Sequence, residues 1–193
     1  PYQDGIVLKD VSFSYEGRKE VLHHVNIKIE KSKTTALVGL SGCGKSTIAS
    51  MLMKFIYPAS GAVYLNGIDY ACMNREEIGK YIVMVPQTVN LFSDTIRNNL
   101  LLANPSATDE ELWQVLEEVS LDKHIRRMKD GLDTMVSESG SNLSGGQKQM
   151  MGIARALLTD AEYIIFDEAT SAVDPESEKI IWQCIEKLSK KRT

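Results

Sequence analysis

Three features of the sequence predict an α/β fold with a mostly parallel sheet, an antiparallel β segment at the N-terminus and a helical insert. The first is a glycine-rich loop between an apolar stretch and a helical one, Gly39-Leu40-Ser41-Gly42-Cys43-Gly44-Lys45-Ser46-Thr47. The second is a pair of near-continuous apolar runs, Tyr81-Ile82-Val83-Met84-Val85 and Tyr163-Ile164-Ile165-Phe166, as expected of parallel strands buried on both faces. The third is a change of period: the early chain alternates like half-buried strands, whereas the middle repeats with helical spacing.

Composition sets the bounds. A chain of 193 residues is long enough for one domain with a sizeable core, and 43% hydrophobic against 25% charged content suits a soluble globular protein. A formal net charge of -4 gives no nucleic-acid footprint. No apolar run approaches the ~20 residues that span a bilayer, and no signal peptide is apparent. The chain starts at Pro1 rather than Met, as a piece of a longer polypeptide would. Cys43, Cys72 and Cys184 have neither metal-ligand spacing nor a paired framework, so they read as free thiols in a reducing compartment.

Residues 6–15 partly alternate and are rich in β formers, which predicts a strand closed by Tyr15. Tyr15 is either an ordinary strand-end aromatic or a flat surface for a base. Residues 25–29 alternate cleanly and form a second strand. Residues 34–38 read as a short buried strand leading into the loop, and residues 48–53 as the helix leaving it. That context completes the G-x-x-x-x-G-K-[ST] pattern of a phosphate loop, and with it the core of a P-loop NTPase. Gly39, Gly42 and Gly44 let successive N–H groups turn toward an anion. The helix beginning near Ser46 adds its positive end. Lys45 carries a charge for the β- and γ-phosphates, and the Ser46 hydroxyl can ligate Mg²⁺. Cys43 is either a thiol activated by the helix end or a small residue filling a tight turn.

A strand over 62–65 runs into Asn66-Gly67, a hairpin signal, and residues 75–79 read as a helical turn ended by Gly79. Gln87 follows the apolar run 81–85. It occupies the carboxyl end of a buried strand, where open α/β sheets take ligands, though a loop cap fits the position equally. Residues 95–102, 108–119 and 122–128 read as helices. Thr108 and Glu111 form a capping box, and no strand intervenes, so the region is a helical insert. Ser144-Gly145-Gly146 feeds a helix over 147–158 with Ser144 as N-cap, a second place for an anion but a weak signal alone. The run 163–166 ends in Asp167-Glu168. The first acid belongs near Mg²⁺, and the second is placed to orient or deprotonate water. Asp174 caps a last helix over 175–190 with Pro175 at its first turn and an inner face of Ile180, Ile181, Cys184, Ile185 and Leu188. The basic tail Lys190-Lys191-Arg192 reads as solvated surface.

In this order, the phosphate loop, Gln87, Leu143-Ser144-Gly145-Gly146-Gln147 and Asp167-Glu168 closely resemble the nucleotide-binding domain of ATP-binding cassette (ABC) proteins, over essentially the whole chain. The segment 143–147 matches that family's signature. The resemblance implies ATP and Mg²⁺ as ligands and ATP hydrolysis as the activity. It implies that Tyr15 stacks on adenine and that Gly39, Ser41, Gly42, Cys43, Gly44, Lys45, Ser46 and Thr47 form the phosphate site. Ser46, Gln87 and Asp167 would attend the metal, and Glu168 would be the catalytic base, with Gln87 and Lys45 beside it in catalysis. Ser144, Gly145, Gly146 and Gln147, with Asp174 of the 171–174 loop, would meet the ATP of a second nucleotide-binding domain, in a homo- or heterodimer.

Residues 91–99 and Glu138-Ser139-Gly140 look exporter-like. They imply a transmembrane partner with a coupling helix, at the cytoplasmic face of a cell inner or plasma membrane. The resemblance implies one domain over 1–193: a catalytic core with a β subdomain in about 1–87 and 156–193, and a helical subdomain in about 88–155. Lys148 keeps a charge common in the family, whereas Met150 and Ser137 stand where arginine and glycine are frequent. The family's switch histidine would lie beyond Thr193. The 193-residue piece is therefore expected to be truncated before it and to hydrolyse ATP weakly or not at all. The alternatives are a non-transport ABC ATPase acting on ribosomes or DNA, and a GTPase or kinase. No Asn-Lys-x-Asp guanine-reading segment supports a GTPase.

Overall fold

A computed structural model describes residues 4–17, 19–170, 173–190 and 192–193. Ser171 and Ala172 of the expected inter-subunit loop, and Lys191 of the basic tail, lie outside the described residues. The described residues fall in two compact units, one within Pro1–Val83, Ala161–Ile165 and Ser189–Thr193, the other within Met84–Asp160 and Phe166–Leu188.

The first unit is built on an antiparallel sheet of order β2-β1-β3-β4. Its strands are β1 (Ile6–Ser14), β2 (Glu20–Ile29), β3 (Ser60–Leu65) and β4 (Ile68–Asp69). The partial alternation of β1 has a physical cause. Its register against β2 shifts between Leu8 and Val11, and Asp10 there takes a left-handed φ of 53°. The bulge turns Ile6, Leu8, Val11 and Phe13 all to the core, which strict alternation would not do. Gly61 on β3 faces it, where a Cβ would sit 2.3 Å from the Asp10 carbonyl oxygen. Asn66 and Gly67 both have positive φ, 48° and 83°, which matches the two-residue hairpin the dipeptide predicts. The Asn66 side chain also ties the unit together. Its Oδ1 accepts from the Gly5 amide at 3.1 Å and the Tyr163 hydroxyl at 2.7 Å, and its Nδ2 donates to Glu162 at 3.1 Å. Burial then pushes the Tyr163 phenol up to about 12.

Helix α1 (Lys45–Leu52) lays Ile48, Met51 and Leu52 into the same core as Leu65, Ile78 and Tyr163. Helix α2 (Arg75–Tyr81) starts with a capping box between Asn74 and Glu77. It passes through Gly79 rather than ending there. Glycine stops a helix by turning left-handed, and Gly79 is not among the positive-φ glycines. A second correction concerns residues 34–38. They carry no strand, and residues 34–40 are exposed, with Val38 at 91% and Leu40 at 86%. An apolar run becomes a buried strand only where neighbours bond to its edges, and no strand among the described residues pairs with this one.

Strands β5 (Ile82–Val85) and β6 (Tyr163–Phe166) form the separate parallel pair that the two apolar runs predict. The second unit is mainly helical, with α3 (Ile96–Leu101), α4 (Asp109–Glu118), α5 (Asp122–Arg126), α6 (Gly145–Leu157) and α7 (Pro175–Leu188). Thr95 caps α3, the Thr108–Glu111 box caps α4, and a Ser144–Gln147 box caps α6. Leu112 and Leu116 of α4, Ile153 and Ala154 of α6 and Ile181 of α7 are fully buried, so the apolar face of α4 is a packing face. Leu112→Ala is expected to cost about 2–5 kcal/mol, whereas Leu112→Met costs less than about 1.5 kcal/mol, as read from denaturant unfolding.

Candidate nucleotide-binding site

In the first unit the phosphate loop is shaped by its glycines and by the strand behind it. Gly42 and Gly44 have φ of 82° and 97°, a region closed to most side chains. A Cβ on Gly44 would also lie 2.7 Å from Leu22 Cδ2 of β2. Gly44 is the N-cap of α1, and no side chain caps that helix. The first-turn amides are left for an anion, the arrangement that phosphate recognition uses. Lys45 Nζ folds over the loop, donating to the Gly39 and Leu40 carbonyl oxygens at 2.9 and 3.1 Å. The ammonium therefore already lies against the backbone that a phosphate would approach.

Cys43 is exposed, and its Sγ covers Gly39, where a Cβ would come within 2.6 Å of the sulfur. That contact favours the turn-filling role. Tyr15 stands edge-on to Phe13, with ring centroids 4.9 Å apart, and its hydroxyl bonds Thr47 Oγ1 at 3.2 Å. Its ring is thereby fixed beside the first turn of α1.

In the second unit Asp167 and Glu168 follow β6 directly. The Asp167 amide donates to the Val85 carbonyl oxygen at 3.1 Å, which places both acids at the carboxyl ends of the strand pair. Gln87 Nε2 donates to Glu168 Oε2 at 3.3 Å, so two residues 81 apart in the chain are brought together. Glu168 takes a left-handed φ of 47°. Among the described residues no group of three or more His, Cys, Asp or Glu is placed to hold a metal ion.

The signature turn opens α6 in the same unit. The Ser144 hydroxyl accepts from the Gln147 amide at 3.2 Å, and Gln147 Oε1 accepts from the Ser144 amide at 2.9 Å. Gly146 is pressed against α7: a Cβ there would lie 2.1 Å from Ser177 Oγ and 3.5 Å from Asp174 Oδ2. Asp174 accepts from the Ser177 and Glu176 amides, and its bonds to Ser177 hold the carboxyl below its ordinary range. Ser144, Gly145, Gly146, Gln147 and Asp174 thus sit together at the N-terminal ends of two helices. Met150, at a departure from the family pattern, is buried and takes part in packing.

The exporter-like stretch is held by Asn99, which is 0% exposed. Its Oδ1 accepts from the Phe92 amide at 2.9 Å and its Nδ2 donates to the Phe92 and Thr95 carbonyl oxygens at 3.0 and 2.9 Å. Arg97 grips Asp133 through Nε at 2.8 Å and Nη2 at 3.3 Å, and pairs with Asp109. That grip lowers the Asp133 carboxyl below its ordinary range. Phe92 and Met135 stay exposed beside it.

Comparison with known proteins agrees with this geometry. The family model described as ABC transporter matches residues 22–171. The chain belongs to the ABC transporter family. It is 45% identical over 188 residues to an ATP-dependent lipid A-core flippase of Vibrio vulnificus, covering 96% of this chain and 32% of that protein. It is 41% identical over 190 residues to a putative multidrug export ATP-binding/permease protein of Bacillus subtilis, covering 98% of this chain and 33% of that protein. A bacterial Atm1-family ABC exporter solved with ATP bound superposes with a TM-score of 0.92 at 34% identity, over 99% of this chain and 34% of that one. The chain spans about a third of the length of the relatives it matches. It carries the family's nucleotide-binding fold, with an N-terminal antiparallel sheet and a parallel pair. Among its described residues no helix is long and apolar enough to cross a membrane.

Three polar residues of this ABC domain escaped the reading of motifs. Asn99, Gln149 and Arg155 each sit in a helix among apolar neighbours. Arg155 reaches the Asn90 and Asn99 carbonyl oxygens at 2.8 Å, and its burial pulls the guanidinium below its ordinary value. A polar residue embedded in an apolar helical face was the available signal. Two predictions follow from this geometry. Gly146→Ala is expected to lower stability by about 1–3 kcal/mol, with part restored by adding Ser177→Gly, as read from thermal melts of single and double variants. Asp133 has a depressed folded-state pKa, so its stabilisation is present above the ordinary carboxylate pKa of about 4 and fades as pH falls through the folded value. Asp133→Asn therefore flattens the acid side of a melting-temperature profile relative to wild type.

Proposed function

We propose that this chain is the ATP-hydrolysing domain of a membrane exporter, acting at the cytoplasmic face of a membrane and working in pairs. The observation that carries the reading is the signature turn. It places Ser144-Gly145-Gly146 at a capped helix N-terminus packed against Ser177 of α7, and its sequence matches the signature that marks the ABC family among phosphate-loop proteins. The relatives reported above are named a lipid A-core flippase and a putative multidrug export ATP-binding/permease protein, and no observation favours the alternative acting on ribosomes or DNA.

In this reading Lys45 and the first-turn amides of α1 bind the β- and γ-phosphates, and Tyr15 offers its ring to adenine. The loop fits such an anion, because its helix end lacks a side-chain cap and its glycines leave the backbone open. Ser46, Asp167 and Gln87 would hold Mg²⁺, which would supply charge neutralisation at the phosphate oxygens. Glu168 orients a water and accepts its proton as the water oxygen bonds to the γ-phosphorus and the bond to the ADP oxygen breaks. Gln87 holds the Glu168 carboxylate in place for that step. Positioning and charge neutralisation supply the rate, with no covalent intermediate. The Ser144–Gln147 turn and Asp174 meet the ATP held by the partner domain, and the 91–99 surface receives a coupling helix. The helical subdomain of about residues 88–155 links those two surfaces.

Lys45→Ala in the full-length protein is expected to weaken Mg-ATP binding at least about tenfold, since a charge-assisted contact to phosphate is lost. Equal affinity in the two proteins would sink the assignment. Glu168→Gln is expected to keep ATP binding while turnover falls by roughly 10²–10⁴.

A further inference from the structure

One face of α6 holds the segment that carries Gln87 by three successive contacts. Gln149, 3% exposed, donates from Nε2 to the Pro86 carbonyl oxygen at 3.1 Å. Three residues on, Gly152 leaves no room for a side chain, since a Cβ would lie 2.6 Å from Val89 Cγ2. Three residues further, Arg155 Nη1 donates to the Asn90 carbonyl oxygen at 2.8 Å. Between these anchors Gln87 and Thr88 are exposed. The segment is therefore pinned at Pro86, Val89 and Asn90 and left open where Gln87 reaches Glu168. The helix that pins it begins with the signature turn.

We propose that Gln149 is a positioning residue for Gln87. Its amide fixes the backbone at Pro86, so that Gln87 meets Glu168, and it makes the Gln87 segment and the signature turn one mechanical piece. The amide is suited to this because it is buried, and its removal takes from the Pro86 carbonyl the hydrogen bond that Gln149 supplies. The consequence for turnover rests on the ATPase reading above; the clamp itself does not.

The test uses Gln149→Met, which keeps length and burial but removes the donor, and Gln149→Glu, which keeps shape but turns an acceptor toward a carbonyl. Both are made in the full-length protein. Without nucleotide, amide hydrogen exchange at residues 87–90 is expected to rise about tenfold or more in either variant, with β1 and β3 amides unchanged. With Mg-ATP, kcat is expected to fall about tenfold while the ATP KM stays within about twofold. Adding Gln87→Ala to Gln149→Met is expected to cost little more than Gln87→Ala alone, because the two act as one unit. Unchanged exchange at 87–90, a uniform rise that includes β1 and β3, or fully additive losses in the double variant each overturn the proposal. Faster exchange at 87–90 alone, in a full-length protein that hydrolyses no ATP, upholds the clamp and overturns the ATPase reading.

Discussion

The first unit depends on a steric constraint at Gly44. Strand β2 presses Leu22 and Val21 against that residue, and only a glycine with a left-handed φ fits beneath them. Because the cap position is a bare glycine, α1 begins without a side-chain acceptor, and its first amides stay available. Lys45, the first residue of that helix, returns over the loop to the Gly39 and Leu40 carbonyls. The antiparallel sheet thus shapes the loop and the uncapped helix end for which anion binding is proposed. Tyr15, at the end of β1, belongs to the same device, since its hydroxyl reaches Thr47.

What could be read from the sequence was what is local. Capping boxes at Thr108–Glu111 and the Asn66-Gly67 turn are complete within a few residues, and both formed as read. The fold class and the phosphate loop follow from patterns equally short in range. The Gln87–Glu168 bond joins residues 81 apart, and motif order hinted at it only through family resemblance. Asn99 with Arg155, and Gln149 with Pro86, are pairs 56 and 63 residues apart, for which no periodicity exists. Residues 34–38 failed for the converse reason. Their pattern is that of a buried strand, but burial is decided by neighbours, and the described residues supply none.

The second unit uses buried polar side chains where an apolar core would not specify a loop. Asn99 satisfies its amide and carbonyl against the Phe92–Thr95 backbone and shares its oxygen with Arg155 at 2.7 Å. Leucine at 99 would pack, but it would leave those backbone groups without partners, at about 1–3 kcal/mol each. The network therefore chooses one conformation of the 91–99 stretch over others of similar hydrophobic burial. Gln149 and Arg155 do the same for residues 86–90. Arg155 of α6 bonds Asn99 in one surface segment and Asn90 in the other, so one helix reaches both.

Glu168 is one of the residues where this local consistency breaks. Of the described non-glycine residues with positive φ, Asp10, His24 and Asn66 are of types that tolerate it, whereas Ser32, Lys54, Ser120 and Glu168 are not. Glutamate is not such a type, and the left-handed backbone costs about 1–2 kcal/mol. A glycine at 168 would relieve the strain and forfeit the carboxylate that Gln87 holds. The chain instead keeps a strained acid at the end of a strand whose preceding residue, Asp167, is fastened to Val85. Lys54 keeps a similar strain while its ammonium bonds the Tyr70 and Met73 carbonyl oxygens inside the fold, so at Glu168 it is the exposed carboxylate held by Gln87, and not the strain alone, that sets the residue apart. At Glu168 the strained backbone accompanies the bond to Gln87, and that pairing is what the catalytic role proposed for this residue rests on.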